Sequence, residues 1–94
     1  INYFLFIIKK KNFFFPFFFF LGNLPSEVAV TPNGKRVYVT NVISGTIYVI
    51  DTATNKVTAT IHVGNGPIGV AITPDGSKVY VVNGNDDTVS VIDT

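Results

Sequence analysis

From residue 22 onward, short apolar runs alternate with clusters of Gly, Pro, Asn, Asp and Thr. Runs of five to eight residues that are bounded by such turn formers predict β-strands rather than helices. The predicted strands span residues 27–31, 36–41, 46–51, 56–63, 69–73, 78–83 and 88–93. This part of the chain is therefore predicted to be all-β.

The side-chain pattern within the strands predicts which of them are covered. The strand at 56–63 places Val57, Ala59, Ile61 and Val63 on one face and Thr58, Thr60 and His62 on the other. Such alternation is typical of an outer strand with one face in solvent. The Val-Tyr-Val cores of 36–41 and 78–83 are apolar on both faces, which predicts inner strands between neighbouring sheets.

An internal repeat organises these strands. Residues 22–52 align without gaps on residues 64–94, at an offset of 42, and 17 of the 31 positions are identical. In both copies a Thr-Pro-(Asn/Asp)-Gly turn follows the first strand, and Gly34 and Gly76 are expected to accept the left-handed conformation that closes a hairpin. Four antiparallel strands in every 40 to 45 residues or so predict a propeller blade. The chain would then hold a first blade at 22–63 and an incomplete second blade at 64–94.

The repeated motifs resemble a known family. Tyr38-Val39-Thr40-Asn41 spells YVTN, and Tyr80-Val81-Val82-Asn83 is a near copy. With VAVTPNGK and VAITPDGS before them and TIYVIDT and TVSVIDT after them, residues 22–94 resemble the YVTN β-propeller repeat. This family is known from surface-layer and other secreted proteins of prokaryotes and from lactonase-like propellers. The resemblance therefore implies a closed ring of about seven blades. The chain is accordingly interpreted as a propeller fragment of one and three quarter blades, which missing blades or self-association would complete.

The first 21 residues have a different composition. All nine Phe lie between Phe4 and Phe20, and Lys9, Lys10 and Lys11 are accompanied by no acidic residue. A signal or anchor segment is one interpretation, because a Lys cluster precedes a short apolar run. Spurious translation of AT-rich DNA is the other, because every residue type here except that of Pro16 has codons made only of A and T. A membrane is an expected partner only under the first interpretation.

Composition excludes several classes of function. The net charge is +1, from seven Lys and Arg against six Asp and Glu, which does not fit the basic surface of a nucleic-acid-binding protein. The absence of Cys excludes disulfides and Cys-based zinc sites. The single histidine, His62, excludes multi-His metal sites, and nothing places it near a nucleophile. His62 is therefore interpreted as solvated, and neither a catalytic residue nor a cofactor is predicted.

Two motifs invite a ligand-binding interpretation. The segment 64–69, Gly-Asn-Gly-Pro-Ile-Gly, matches the dinucleotide motif G-x-G-x-x-G, but a strand rather than a helix follows it. It is interpreted as the link between blades. Asn83, Asn85 and Asp87, with Asp86 between them, have the oxygen spacing that begins a calcium loop, but the twelfth position is Thr94 rather than Glu. A polar hairpin turn is the preferred interpretation, and these residues remain the candidate ligands of the metal alternative.

Two further sets of residues are assigned structural roles. Asp51 is predicted to begin a turn by accepting backbone N–H groups, with Asn55 in the left-handed conformation, and Asp93 closes the equivalent strand. Tyr38, Tyr48 and Tyr80 are predicted to pack between blades.

The expected function follows from the resemblance. It is a non-enzymatic scaffold or binding module of a cell-surface or secreted protein, which recognises an unknown protein or cell-surface ligand through loops such as 42–45 and 84–87. One alternative is a fragment of an enzyme-type propeller, such as a lactonase-like hydrolase, whose site gathers residues from several blades. Another is a truncated product without independent function. The fold alone does not choose among them.

Overall fold

The computed structural model describes residues 24–94 and places seven antiparallel strands in two sheets. The strands are β1 (Pro25–Val30), β2 (Arg36–Asn41), β3 (Thr46–Asp51), β4 (Lys56–His62), β5 (Pro67–Ile72), β6 (Lys78–Asn83) and β7 (Thr88–Asp93). The first sheet has the order β1-β2-β3-β4 and the second the order β5-β6-β7. The predicted all-β fold of one and three quarter blades is confirmed. The predictions for residues 1–21 lie outside the described residues.

Within residues 24–94 there is no helix long and apolar enough to span a membrane.

The tight turns form as predicted. Gly34 has a φ of 74° and Gly76 a φ of 76°, and each N–H donates to the carbonyl of the Thr three residues earlier at 2.8 Å. The Asn33 side chain supports the first turn, because its Oδ1 accepts the N–H of Lys35 at 2.9 Å and the hydroxyl of Thr31 at 2.7 Å. Local turn chemistry therefore fixes the β1–β2 and β5–β6 hairpins.

The first strand of each blade begins earlier than predicted. Pairing of β1 with β2 continues to Pro25 opposite Asn41, and pairing of β5 with β6 continues to Pro67 opposite Asn83. A register shift interrupts each ladder, between Pro25 and Val28 in the first sheet and after Pro67 in the second. Such bulges absorb extra residues without ending the strand, and the alternation pattern does not reveal them.

A third bulge corrects the prediction for β4. Val49 pairs with Ala59 but Ile50 pairs with Val57, so Thr58 is the additional residue. Its hydroxyl donates to the carbonyl of Val49 at 3.3 Å. Because paired residues share a face, Val57 lies on the face opposite Ala59. The prediction of one continuous apolar face along this strand is therefore wrong at Val57.

The main hydrophobic core lies between the two sheets. Its buried members are Tyr38, Ile47, Val49, Val79 and Val81, and Ile61, Val63, Val70, Ile72 and Ile92 pack around them. A smaller cluster on the opposite face of the first sheet contains Val37, Val39 and Ile50, with Tyr48 and Val57 against them. The core residues between the sheets hold the two blades face to face, as stacked blades require.

The repeat places equivalent residues in different environments. Val49 is 5% exposed between the sheets, whereas its equivalent Val91, on the outer face of the second sheet, is 54% exposed. Tyr38 is 3% exposed, whereas Tyr80 is 40% exposed. The two copies therefore provide matched positions that differ mainly in whether a neighbouring blade covers them.

Candidate functional site

Three connections meet at one end of the sheets. β2, β4 and β6 end there and β3, β5 and β7 begin there, so residues 42–45, 63–66 and 84–87 lie together. We call this the loop end. The opposite end, with residues 31–35, 52–55 and 73–77, is the turn end.

Backbone hydrogen bonds join the three connections into one platform. Val63 donates to the carbonyl of Gly45 at 3.0 Å, and Gly84 donates to the carbonyl of Gly66 at 2.8 Å. Asn85 adds a bond to the carbonyl of Asn65 at 3.1 Å. The link between the blades thus supports the β2–β3 loop on one side and the β6–β7 loop on the other.

Asn83 lies at the centre of this platform and is 1% exposed. Its Oδ1 accepts the N–H of Gly64 at 3.1 Å. Its Nδ2 donates to the hydroxyl oxygens of Thr88 at 3.2 Å and Ser90 at 2.9 Å. One carboxamide therefore joins the end of β6, the strand β7 and the link between the blades.

The equivalent residue in the first blade repeats part of this arrangement. Asn41 is fully buried, and its Nδ2 donates to the hydroxyl of Thr46 at 3.2 Å. Its Oδ1 has no hydrogen-bond partner among residues 24–94. The repeat equivalent of Gly64 is Gly22, which lies outside the described residues. The last residue of the repeated Tyr-Val-x-Asn motif is therefore a buried structural residue in both blades.

The glycines of the G-x-G-x-x-G segment serve packing at the link. A Cβ on Gly64 would lie 2.7 Å from Asp86 Oδ2 and 2.8 Å from Asn83 Cγ, which leaves no room for a side chain. Gly66 has a φ of 66°, in the left-handed region. The segment joins β4 to β5, so the prediction that it links the blades is confirmed.

The candidate calcium ligands are partly occupied by protein groups. Asp86 Oδ2 accepts the N–H of Asn65 at 2.8 Å, and Oδ1 accepts Asn65 Nδ2 at 2.9 Å. Asn83 Oδ1 is taken by Gly64, whereas Asp87 is exposed with a φ of 56°. In the part of the chain that the structure describes, no three His, Cys, Asp or Glu side chains group around a possible metal position. These oxygens thus hold the 84–87 loop against the link.

The structure assigns Asp51 the predicted turn role. Its Oδ1 accepts the N–H of Ala53 at 2.9 Å, and its carbonyl accepts the N–H of Asn55 at 2.7 Å. Asn55 has a φ of 60°, as predicted. The β3–β4 turn is therefore determined locally.

The remaining predicted residues are dispersed. His62 is exposed on β4, opposite Thr46. Tyr38 packs between the sheets as predicted, and Tyr48 is half-buried against the smaller cluster. Tyr80 is 40% exposed on the outer face of the second sheet. Among residues 24–94 His62 belongs to no group of three or more His, Cys, Asp or Glu side chains.

Glu27 is a site residue that the sequence analysis did not identify. It lies on β1, and its Oε1 accepts the N–H of Val70 on β5, the first strand of the next blade, at 3.3 Å. Its own N–H donates to the hydroxyl of Thr40 at 2.9 Å. The repeat equivalent is Gly69, and that difference between the copies was the available signal.

Charges are divided between the two ends. All four Lys and Arg of the described region, Lys35, Arg36, Lys56 and Lys78, lie at the turn end. The loop end carries Asp86, Asp87 and His62. The loop end is therefore acidic, and it suits a polar or cationic partner group more than an anionic one.

Asp75 at the turn end gives a pH-dependent prediction. Hydrogen bonds from the backbone N–H of Ser77 and the hydroxyls of Thr73 and Ser77 lower the pKa of Asp75 from 3.8 to about 2. Because the native pKa lies below the unfolded one, ionised Asp75 stabilises the fold above about pH 4, and this contribution disappears as the pH falls through 2. Asp75→Asn should therefore be less stable than the wild type at pH 6, and the difference should shrink below pH 4.

Thermal unfolding of both proteins between pH 6 and pH 2 measures this effect. Asn33 occupies the same turn position in the first blade, so the asparagine fits the turn geometry. A stability difference that is independent of pH would contradict the assignment.

Comparisons with known proteins agree with this architecture. A family model described as "Lactonase, 7-bladed beta-propeller" matches residues 16–94. A structure titled "Kuenenia stuttgartiensis Hydrazine Synthase" superposes with a TM-score of 0.73 at 34% identity, and the match covers 74% of this chain and 20% of that chain. A structure titled "Dihydro-heme d1 dehydrogenase NirN in complex with DHE" has a TM-score of 0.68 at 25% identity, and it covers 76% and 15% respectively.

No curated protein sequence matches the chain. The chain spans a fifth or less of the length of these two structures. The comparisons therefore concern two blades of much larger molecules.

Proposed function

This chain belongs to the lactonase family of seven-bladed β-propellers, and from that premise we propose that its two blades are a non-catalytic part of a propeller protein that binds a partner through its loop end. The finer assignment within this proposal is a YVTN-type protein of the cell surface or of the secreted fraction. Its support is the motif at 38–41 and 80–83, which occurs in the repeat at matching positions.

The observation that carries the proposal is that the polar side chains of the loop end form hydrogen bonds within the protein. The carboxamide of Asn83 and the carboxylate of Asp86 are held by Gly64, Thr88, Ser90 and Asn65. Groups engaged in this way hold loops in place, whereas a catalytic site needs acids, bases or nucleophiles that point at a common reacting atom. The exposed loop tips, including Ile43 at 72% exposure, are then the groups that meet a partner.

A specific observation favours a second candidate, an enzyme-type propeller. The matching family model is described as a lactonase, and the two similar structures are titled as a synthase and a dehydrogenase. In such a protein Glu27, whose carboxylate lies where β1 meets β5 of the next blade, is a candidate for a site shared between blades.

The full-length protein distinguishes the two candidates. We expect it to bind cell envelopes prepared from the source organism and to leave δ-gluconolactone unhydrolysed. The matched variant replaces the 84–87 loop, Gly-Asn-Asp-Asp, with the Val-Ile-Ser-Gly of 42–45 from the same repeat position. The exchange also removes the bonds between Asp86 and Asn65, so thermal unfolding of the variant is measured alongside, and a variant that remains folded should bind envelopes more weakly.

Two results would overturn the proposal. One is lactone hydrolysis by the full-length protein that Glu27→Gln abolishes without a loss of thermal stability. The other is envelope binding that the loop exchange does not change.

A further inference from the structure

The turn end holds a cationic side chain that the fold leaves unused. Arg36 lies opposite Asp51 in the pairing of β2 with β3, as Lys78 lies opposite Asp93 in the pairing of β6 with β7. Lys78 Nζ donates to Asp93 Oδ1 at 2.6 Å. Within residues 24–94 this is the one ion pair, so Arg36 does not form the equivalent pair with Asp51.

Arg36 instead lines a cavity of about 390 Å³ together with Asn33, Lys35, Asp51 and Thr58. It also lines a smaller cavity of about 190 Å³, to which Asp75 of the second blade contributes. The larger cavity is an open depression of the surface, because Asn33, Lys35, Arg36 and Thr58 are all exposed. The bulge residue Thr58 contributes to its wall. The larger cavity therefore lies beside β4.

The cavity contains three side chains that donate hydrogen bonds. Arg36 offers a planar guanidinium, Lys35 an ammonium group, and Asn33 its Nδ2, because Asn33 Oδ1 already accepts from Thr31 and Lys35. Asp51 is the one acid of the lining, and its Oδ1 is engaged with Ala53. Among residues 24–94 neither Lys35 nor Arg36 forms an ion pair, so both cationic groups are available to a ligand.

The two blades differ in their formal charge at these positions. Asn33, Lys35, Arg36 and Asp51 of the first blade correspond to Asp75, Ser77, Lys78 and Asp93 of the second. The formal charges of the first set are 0, +1, +1 and −1, a sum of +1, and those of the second are −1, 0, +1 and −1, a sum of −1. The same turn therefore carries an excess positive charge in one blade and an excess negative charge in the other.

We propose that this turn-end cleft, formed by Asn33, Lys35 and Arg36, binds a carboxylate group of a partner molecule. A guanidinium matches a planar carboxylate with two parallel N–H donors. A single negative charge neutralises the local excess of +1, whereas a phosphate dianion would place additional negative charge beside Asp51. This site lies at the end of the sheets opposite the loops of the proposed function and does not depend on that function.

The second blade supplies the matched control. The triple variant Asn33→Asp, Lys35→Ser, Arg36→Lys gives the first turn the residues with which the second turn already folds. The reciprocal variant Asp75→Asn, Ser77→Lys, Lys78→Arg transfers the donors to the second turn. Both exchanges keep the Pro and Gly that define the turn.

The experiment is an NMR titration of the 94-residue chain with acetate, with the peptide acetyl-Gly-Glu-Glu-Gly-amide, and with inorganic phosphate. The backbone amides of 33–36 and the Arg36 Nε–H should shift with a dissociation constant of about 1 mM, and those of 73–78 should not. The triple variant should bind roughly fivefold more weakly or worse, and about 0.5 M NaCl should remove the shifts. Tighter binding of the peptide than of acetate would identify an acidic protein segment as the source of the carboxylate, and equal binding would identify a small acid.

Several outcomes would overturn the proposal. They are an absence of shifts at about 50 mM of either carboxylate, equal shifts in the triple variant with unchanged thermal unfolding, and binding of phosphate in preference to both carboxylates. If the wild-type site binds, the reciprocal variant is compared with it. Failure of that variant to gain shifts at 73–78 would then show that β4 and Thr58 are needed, which supports the cavity that Thr58 lines.

Discussion

Replacement of Asn83 by alanine should lower the free energy of unfolding of the chain by about 2 kcal/mol. The side chain is 1% exposed and forms three hydrogen bonds, to Gly64, Thr88 and Ser90. A hydrogen bond contributes roughly 0.5 to 1.5 kcal/mol net, and the three share one carboxamide, so their loss is less than additive. Urea unfolding followed by tyrosine fluorescence measures the change, because the chain has four Tyr and no Trp.

Asn85→Ala is the matched control for this prediction. Asn85 lies two residues further along the same connection and is exposed, so its replacement should change stability by less than about 0.5 kcal/mol. Asn83→Asp should fall between the two, because it retains an oxygen for Gly64 but lacks the Nδ2 that donates to Thr88 and Ser90. Equal destabilisation by Asn83→Ala and Asn85→Ala would show that Asn83 does not hold the loop end together.

Asn83 and Asp86 connect the link to the second sheet through hydrogen bonds of their side chains. The glycine at 64 allows the link to approach within van der Waals contact of the carboxamide, and the carboxylate of Asp86 then fixes the following residue, Asn65. The backbone N–H groups of Gly64 and Asn65 are satisfied by these bonds rather than by water. A platform built in this way presents its loops in one arrangement, which favours recognition of a partner.

The parts of the fold that depend on local chemistry could be predicted from the sequence. Gly34 and Gly76 adopt the left-handed conformation because the Thr-Pro-(Asn/Asp)-Gly turn requires it, and Asp51 caps its turn through a bond two residues away. The strands β2, β3, β6 and β7 have their predicted bounds. The repeat supplied the assembly of these hairpins into blades.

The parts that depend on tertiary contacts could not be predicted in the same way. The bulge at Thr58 moves Val57 towards Ile50 on the other face of the sheet, although the sequence alternates without interruption. The bond from Val70 to Glu27 joins residues 43 positions apart, and no pattern within one strand indicates it. Such features follow from how two sheets twist and pack against each other.

The candidate sites were better indicated by differences between the repeats than by motifs. The glycines of the G-x-G-x-x-G match serve the link between the blades, and Asn83 and Asp86 of the calcium-like spacing accept N–H groups of that link. In contrast, Glu27 in place of Gly69 and Lys35 in place of Ser77 mark a contact between blades and a cavity lining. Positions shared by both copies maintain the blade, whereas positions that differ are free to take a role specific to one blade.

Val49→Ala should lower the free energy of unfolding by about 2 kcal/mol, whereas Val91→Ala should change it by less than about 0.5 kcal/mol. The two residues are of the same type and occupy the same repeat position, but Val49 is 5% exposed between the sheets and Val91 is 54% exposed. Each substitution removes two methyl groups, at about 0.8 kcal/mol per buried carbon, and a residual cavity adds to the cost at the buried site.

Urea unfolding of both variants in the 94-residue chain tests whether the blades pack face to face. Similar destabilisation by the two substitutions would contradict the packing of Val49 against Val79 and Val81. The stability of the same two variants in the full-length protein gives a further test. A blade stacked on the outer face of the second sheet would bury Val91 as the second sheet buries Val49, and the cost of Val91→Ala should then rise towards that of Val49→Ala.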